Sequence, residues 1–171
     1  STQKAQEAVY SGLKEAQSTL ELKGGVIATA DAAGGTIQQL SFVVSSALGG
    51  EAIDFTQPTE PLTATGIAIG TANKVVINYI DKDQTKNNLW WNVTKLGNDS
   101  GDYLLNGTEK YEITIGGSSN TTAPGNLLNA LSGHLLTTNK TFTIQVVTPA
   151  GAVLTIERTT PAYIDKIMNL R

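Results

Sequence analysis

The sequence predicts a mainly β domain of the β-sandwich class, and three features of it carry this prediction. Ser and Thr occupy 33 of the 171 positions and Gly another 17, whereas charged residues make up only 16%, against roughly 25% in ordinary globular domains. Short runs of β-branched residues alternate with Gly, Asn and Pro turn signals. Many short strands with little helix are typical of two packed sheets.

The first segment is predicted to be helical and to precede the β domain. Over residues 1–16 and a little beyond, apolar residues recur every three or four positions, at Ala5, Val9, Leu13, Ala16 and Leu20. This stripe either packs on its own domain or ends a longer helix that begins upstream. We therefore divide the chain into a helical connector, residues 1–16, and a β-sandwich domain, residues 17–171.

The β domain is predicted to contain single strands, two hairpins and two short helical pieces. Single strands are expected over residues 36–48, 89–96 and 109–115. One hairpin joins residues 67–69 to 75–80 through a turn at 70–73, and the other joins 141–147 to 152–157 through a turn at 149–151. One helical turn is expected at residues 126–131. Thr160 and Pro161 are predicted to cap and start a C-terminal helix.

Composition and charge argue against several classes of function. The net charge is −3 and there is no basic run, so nucleic acid is not an expected partner. The chain has no cysteine, which removes disulfides and thiolate metal sites. No apolar run approaches the roughly 20 residues of a membrane span. No signal peptide or initiator Met precedes Ser1, so we interpret the chain as a processed or trimmed form.

The sequence contains no motif of a known catalytic type, and we predict that the protein is not an enzyme. Its one histidine, His134, lies between apolar residues, and neither the G-x-S-x-G nor the H-E-x-x-H motif occurs. Gly pairs at 24–25, 34–35, 49–50 and 116–117 lack the Lys and the spacing of a phosphate-binding loop. We interpret them as turn signals and His134 as structural.

Five asparagines occupy the N-x-[ST] motif of N-glycosylation acceptors. They are Asn92, Asn98, Asn106, Asn120 and Asn139. With hydroxyl residues at 33 of 171 positions, the twelve asparagines of the chain give about two such motifs by chance. The enrichment favours an exported protein with N-linked glycans on its outward face. The alternative is a Thr-rich surface on which the motifs are coincidental.

Two loops concentrate oxygen ligands of the kind that Ca²⁺ and Mg²⁺ prefer. Asp81 and Asp83 directly follow a predicted strand, and Asn98, Asp99 and Asp102 form a second run. Neither loop has the twelve-residue EF-hand pattern. A solvated turn, in which Asp and Asn bind their own backbone, is the favoured alternative for each. A bound ion would stiffen the loop rather than catalyse a reaction.

Trp90 and Trp91 are adjacent on a predicted strand, so their side chains face opposite sides of a sheet. We expect one to fill the core and the other to cover an edge or a subunit contact. If the second lines a concave groove, it would instead suit stacking on a sugar ring.

Three segments resemble archaellins, the archaeal flagellins. Residues 140–171, KTFTIQVVTPAGAVLTIERTTPAYIDKIMNLR, are similar to the hairpin and Pro-containing tail that close the outer domain of that family. Residues 40–55, LSFVVSSALGGEAIDF, resemble its early strand and "IDL"-type segment. Residues 2–13, TQKAQEAVYSGL, are similar to the junction between its long N-terminal helix and its outer domain. Residues 85–135, a region that varies among archaellins, resemble the family only in the general type of their residues.

The resemblance implies the outer domain of a structural subunit of the archaeal motility filament, on the outside of the cell. It further implies an immunoglobulin-like β-sandwich, export after cleavage of a pilin-type signal, N-glycosylation and lateral packing against other copies of the chain. The hydrophobic first helix of archaellins is not in this sequence. The family also suggests one structural Ca²⁺ or Mg²⁺ ion, and we nominate as ligands Asp81, Asp83, Asn98, Asp99 and Asp102.

The alternative from a different class is a binding module. An adhesive, type IV pilin-like domain or a surface-layer domain would share the exported β-sandwich and would recognise carbohydrate or another cell. The surroundings of the outer Trp discriminate between the two hypotheses, because a concave groove favours binding and a flat flank favours the filament.

Overall fold

The computed structural model describes residues 20–47, 50–97, 101–117 and 120–171. These ranges form eleven strands and one four-residue helix. In chain order they are β1 Leu20–Ala30, β2 Ile37–Ser46, β3 Ile53–Asp54, β4 Val76–Asp81, β5 Gln84–Lys86, β6 Trp91–Leu96, β7 Leu104–Leu105, β8 Lys110–Ile115, α1 Leu127–Ala130, β9 Thr141–Val147, β10 Val153–Thr159 and β11 Ile167–Leu170. The predicted connector, residues 1–16, and its boundary with residues 17–171 lie outside the described residues.

The strands form two main antiparallel sheets that share one core. The five-stranded sheet has the order β11-β1-β2-β8-β6, the four-stranded sheet has the order β10-β9-β4-β5, and β3 pairs with β7. Every second residue of a strand faces inward, and the inward side chains of both sheets belong to one hydrophobic cluster. The predicted β-sandwich class is therefore confirmed. No helix in the described ranges is long and apolar enough to cross a membrane.

Most predicted strands form close to their expected bounds. The strands predicted at residues 36–48, 89–96 and 109–115 correspond to β2, β6 and β8, and the last hairpin corresponds to β9 and β10. The predicted helical turn is α1. Its cap is Asn126, whose side chain accepts a hydrogen bond of 2.9 Å from the Leu128 amide.

The predicted hairpin of residues 67–69 with 75–80 is wrong. Ile67 forms an isolated bridge with Leu89 instead, and β4 pairs with β5 and β9. Contacts of Gly66 keep the following residues away from β4. Gly66 has a φ of +67°, and its amide donates to the Pro124 carbonyl at 3.0 Å. A Cβ at Gly66 would lie 2.6 Å from the Ala130 amide. Packing against α1 thus overrides the local hairpin signal.

The predicted C-terminal helix is also wrong. The segment forms β11, whose residues alternate between exposed and buried and pair with β1 from Val26↔Leu170 to Thr29↔Ile167. Thr160 does not cap a helix. Its hydroxyl donates to the Thr137 carbonyl at 2.6 Å and accepts from the Lys140 amide at 2.8 Å. A long-range ladder at the sheet edge therefore replaces a locally plausible helix.

Strand β1 is not evident from the sequence, because Leu20 continues the helical stripe and Gly24 and Gly25 resemble a turn. Leu20 is the first residue of β1. Gly24 and Gly25 form a β-bulge, where the pairing with β2 shifts between Lys23 and Ile27. Gly24 has a φ of +79°, and a Cβ at Gly25 would overlap the side chain of Asn169. The bulge interrupts the period-2 pattern by which a strand is recognised.

Candidate functional site

The polar groups of interest lie at the two ends of the sandwich. At the first end, β1 begins and β2 ends, since Leu20 pairs with Ser46. At the second end, β1 turns into β2, and the Ile37 amide donates to the Leu136 carbonyl at 3.0 Å. We call these the entry end and the far end. Of the residues nominated as metal ligands, Asp81 and Asp83 lie at the far end and Asp102 lies at the entry end.

Asp81, the last residue of β4, lies at the far end with its side chain fully buried. Its Oδ1 accepts from the amides of Asp83 at 2.8 Å and Gln84 at 3.1 Å. Its Oδ2 accepts from the Tyr79 hydroxyl at 2.7 Å and the Gln84 side chain at 3.2 Å. The carboxylate is thus saturated with hydrogen-bond donors from its own hairpin.

The ammonium of Lys140 completes this cluster from the segment that precedes β9. Lys140 Nζ lies 3.2 Å from Asp81 Oδ2 and 3.4 Å from Asp83 Oδ2. It also donates to the main-chain carbonyls of His134 at 3.3 Å and Leu135 at 3.5 Å. Its side chain is only 12% exposed. Two carboxylates and two carbonyls therefore surround one positive charge, and His134 takes part through its backbone.

Hydrogen bonding decides the charge states in this cluster. Burial raises the pKa of Asp81, but the hydrogen bonds from Tyr79, the Asp83 amide, Gln84 and Lys140 outweigh burial and lower that pKa to about 2. Burial, the hydrogen bond to Asp81 and the two nearby negative charges raise the pKa of Tyr79 far above its ordinary value. At neutral pH the carboxylate is ionised and the phenol is neutral.

The residues at the far end do not fit a metal ion. A cation at Asp81 would have to displace the Lys140 ammonium and compete with four hydrogen-bond donors. Asp102 lies at the entry end, where the Tyr111 hydroxyl donates to its carbonyl at 3.2 Å and its Oδ1 accepts from the Leu104 amide at 3.0 Å. Asn98 and Asp99 lie outside the described residues. Within the ranges that the structure describes, no group of three or more His, Cys, Asp or Glu is placed to hold a metal.

None of the four glycosylation acceptors within the described ranges is buried. Asn106, Asn120 and Asn139 are exposed in turns, whereas Asn92 is half-buried on β6. The Asn92 side-chain nitrogen, to which a glycan would be attached, donates to the Gly117 carbonyl at 2.9 Å. The fifth acceptor, Asn98, lies outside the described residues. The side chains of the three exposed acceptors are thus more accessible to modification than that of Asn92.

Comparison with known proteins identifies the family. The model of the archaeal-type flagellin family matches residues 1–158. Probable flagellin 1 of Archaeoglobus fulgidus is 30% identical over 99% of this chain and 78% of its own length. Probable flagellin 2 of the same organism is 32% identical over 94% of this chain and 74% of its own length.

The chain belongs to the archaeal-type flagellin family. Two solved structures share its fold. The crystal structure of archaeal flagellin FlaB1 from Methanocaldococcus jannaschii aligns with a TM-score of 0.63 at 15% identity, over 90% of this chain and 96% of that one. The archaeal flagellum of Methanospirillum hungatei strain JF1 aligns with a TM-score of 0.56 at 20% identity, over 99% of this chain and 80% of that one.

The flagellin is therefore a structural subunit of the archaeal motility filament, a cell-surface appendage, and it is not an enzyme. This confirms the resemblance to archaellins, the mainly β sandwich class and self-association into a filament. The adhesive alternative is not favoured.

The two tryptophans of the flagellin agree with the structural role. Trp91 is fully buried in the core, as predicted for one of the pair. Trp90 is half-buried and lies against Gly117 and Gly125, where an added Cβ would overlap its indole ring. Trp90 thus packs against Gly117 and Gly125, in agreement with the prediction that the second tryptophan covers an edge.

Three members of the far-end cluster, Tyr79, Gln84 and Lys140, were not predicted from the sequence. Tyr79 and Asp81 lie two apart on β4 and therefore on one side of the strand, which is a local signal for their hydrogen bond. Lys140 is 59 positions from Asp81 in the chain. It meets Asp81 because β4 pairs with β9, where Asp81 lies opposite Phe142, and no local pattern encodes that pairing.

Proposed function

We propose that the β-sandwich of this flagellin is exported and forms the N-glycosylated outer layer of the rotating filament. The observation that carries the proposal is the placement of the acceptor asparagines. Three of them occupy exposed turns at both ends of the sandwich, and none of the described four is buried in the core. The outer surface of a filament must be soluble, and this chain has few charged residues to make it so. Glycans and the hydroxyl-rich surface supply that solubility.

The local geometry of each exposed acceptor suits modification. Asn106 lies in the turn between β7 and β8, and Asn139 lies in the turn before β9 with a φ of +52°. At Asn120 the side-chain oxygen accepts hydrogen bonds from the amide of Thr122 at 3.1 Å and from its hydroxyl at 2.8 Å. The two polar residues of that motif therefore already lie together in a tight exposed turn.

We expect glycans on Asn106, Asn120 and Asn139 and none on Asn92. Modification of Asn92 would replace one of the two N–H bonds of the side-chain nitrogen that donates to Gly117 at 2.9 Å, and would place a sugar on a half-buried strand. Mass spectrometry of tryptic glycopeptides from purified filaments measures the occupancy of each position. Asn→Gln variants at 106, 120 and 139 should each remove one glycan mass, whereas Asn92→Gln should remove none. Full occupancy of Asn92, with the three turn positions empty, would contradict the proposal.

The test of the filament role is assembly in a cell. The chain, with an archaellin-type hydrophobic helix placed ahead of Ser1, is expressed in a swimming archaeal host whose own flagellin genes are deleted. We expect filaments by electron microscopy and recovery of swimming by light microscopy. Fibres that do not rotate would favour the adhesive pilin-like alternative. Folded subunits without any fibre would overturn the proposal.

We propose the predicted structural cation only for the run that includes Asp102, because the Lys140 ammonium already neutralises Asp81 and Asp83 at the far end. We expect any rise in melting temperature with millimolar Ca²⁺, reversed by EDTA, to disappear in Asp102→Asn and to persist in Asp83→Asn. Asp83 is the matched control, since it was nominated on the same grounds but pairs with Lys140 at 3.4 Å. A calcium effect lost only in Asp83→Asn would show that the ion binds at the far end after all.

A further inference from the structure

The outer surface of the four-stranded sheet has an unusual composition. The residues of β4, β5, β9 and β10 that alternate with the buried ones face away from the core, and we call this set the β4–β9–β10 face. Its members are Val76, Asn78, Ile80, Thr85, Thr141, Thr143, Gln145, Val147, Val153, Thr155, Glu157 and Thr159. Only Glu157 is charged, although exposed protein surfaces carry roughly 25–35% charged residues.

Four of the eight polar side chains of this face, Asn78, Gln145, Thr141 and Thr159, bind each other within its plane. The register aligns Val76, Val147 and Val153 in one cross-strand row. In the next row Asn78 donates to the Gln145 side chain at 3.5 Å, and at the end of the face the hydroxyls of Thr141 and Thr159 lie 2.7 Å apart. Because these four groups already have partners, covering them with another protein surface costs little hydration. The face presents flat rows of β-branched side chains.

The outer surface of the five-stranded sheet is different. The strand register turns Glu21, Lys23, Lys110 and Glu112 outward on that surface, together with the acceptor Asn92. None of the four described acceptor asparagines lies on the β4–β9–β10 face. The outer surface of the five-stranded sheet therefore carries both charges and an acceptor asparagine, whereas the β4–β9–β10 face carries one charge and no described acceptor.

We propose that the β4–β9–β10 face is the surface by which each sandwich docks against another copy of the chain in the filament. This inference rests on the filament role proposed above. A four-stranded face about seven residues long covers roughly 400 Å², about half of the ~800 Å² per partner of a stable pair. It is too small to hold a dimer in solution and becomes useful where each subunit has several neighbours. In a helical filament such contacts are heterologous, so the face meets a different surface of its neighbour.

Thiol accessibility tests this assignment, because the chain has no cysteine and each introduced thiol is unique within it. Thr155→Cys lies in the centre of β10 on the proposed face, and Lys110→Cys is the control on the outer surface of the other sheet; both positions are exposed in the single chain. Maleimide labelling rates are compared between assembled filaments and dissociated subunits. We expect Thr155→Cys to react about tenfold more slowly in filaments, and Lys110→Cys to react at about the same rate in both.

A second pair of variants tests the same surface by assembly. Thr155→Lys places an unpaired charge in the docking face and should abolish or strongly shorten filaments without lowering the melting temperature of the subunit, whereas Thr155→Ser should assemble normally. Filaments of normal length from Thr155→Lys, or equal labelling of Thr155→Cys in both states, would overturn the docking assignment and leave the filament role intact. Failure of the unaltered flagellin to form filaments would instead count against the filament role itself.

Discussion

Replacement of Trp91 by alanine is expected to lower the free energy of unfolding by about 4 kcal/mol, within the range for removal of a fully buried aromatic side chain. Trp91 faces into the core from β6, opposite Ile115 of β8. Its ring meets Phe55 edge to face at 6.0 Å between centroids, and Phe55 meets Tyr111 in the same way at 5.9 Å. The substitution therefore opens a cavity beside Phe55, the central ring of this aromatic cluster. Urea denaturation of the subunit, followed by circular dichroism, measures the change.

Trp91→Phe is the matched control for that experiment. Among the described residues, the Trp91 Nε1 group has no hydrogen-bond partner, so loss of the indole N–H removes no bond. The phenylalanine variant should lose only about 1–2 kcal/mol, from reduced volume. If Trp91→Ala costs no more than Trp91→Phe, the aromatic cluster is not a main support of the core.

Replacement of Lys140 by methionine is expected to lower the free energy of unfolding by about 3 kcal/mol, because it leaves the buried Asp81 carboxylate without its counterion. The loss falls at the lower end of the range for broken buried ion pairs, since donors from Tyr79, Asp83 and Gln84 remain. Asp83→Asn removes the more exposed partner of Lys140 and should cost less than about 1 kcal/mol. Equal losses from the two variants would show that the pair with Asp81 is not the dominant contact.

Asp81 of the far-end cluster should also make the free energy of unfolding depend on pH in the acid range. The pKa of Asp81 in the folded chain is about 2, below its ordinary value of 3.8. The ionised Asp81 carboxylate therefore adds about 2 kcal/mol to the free energy of unfolding. This contribution is complete above about pH 4 and is lost as the pH falls toward 2. In Asp81→Asn this part of the acid dependence should be absent. A variant with the same slope between pH 4 and 2 would place the titrating group elsewhere.

Local pattern was sufficient to predict much of this domain. Period-2 alternation around a Pro-containing turn is a strong short-range signal, and β9 and β10 form where it occurs. Spacing alone also established that Trp90 and Trp91 face opposite ways. The exposed acceptor motifs followed from residue type and turn composition.

Local pattern failed where a partner distant in the chain supplies the deciding contact. Gly24 and Gly25 look like a turn but form a bulge inside β1, beside Asn169 of β11. The C-terminal segment looks like a capped helix but pairs with β1, because an edge ladder satisfies more backbone groups than a short exposed helix can.

The sequence by itself determined the class of the domain, the alternation of most strands and the last hairpin, since these depend on neighbouring residues. The tertiary structure alone decided which tryptophan enters the core, which end of the sandwich holds each acidic loop and which cation neutralises Asp81. Those outcomes depend on strand register: β6 against β8 turns Trp91 inward, and β4 against β9 brings Lys140 to Asp81. A lysine ammonium thus occupies the place that the acidic pattern alone suggested for a metal ion.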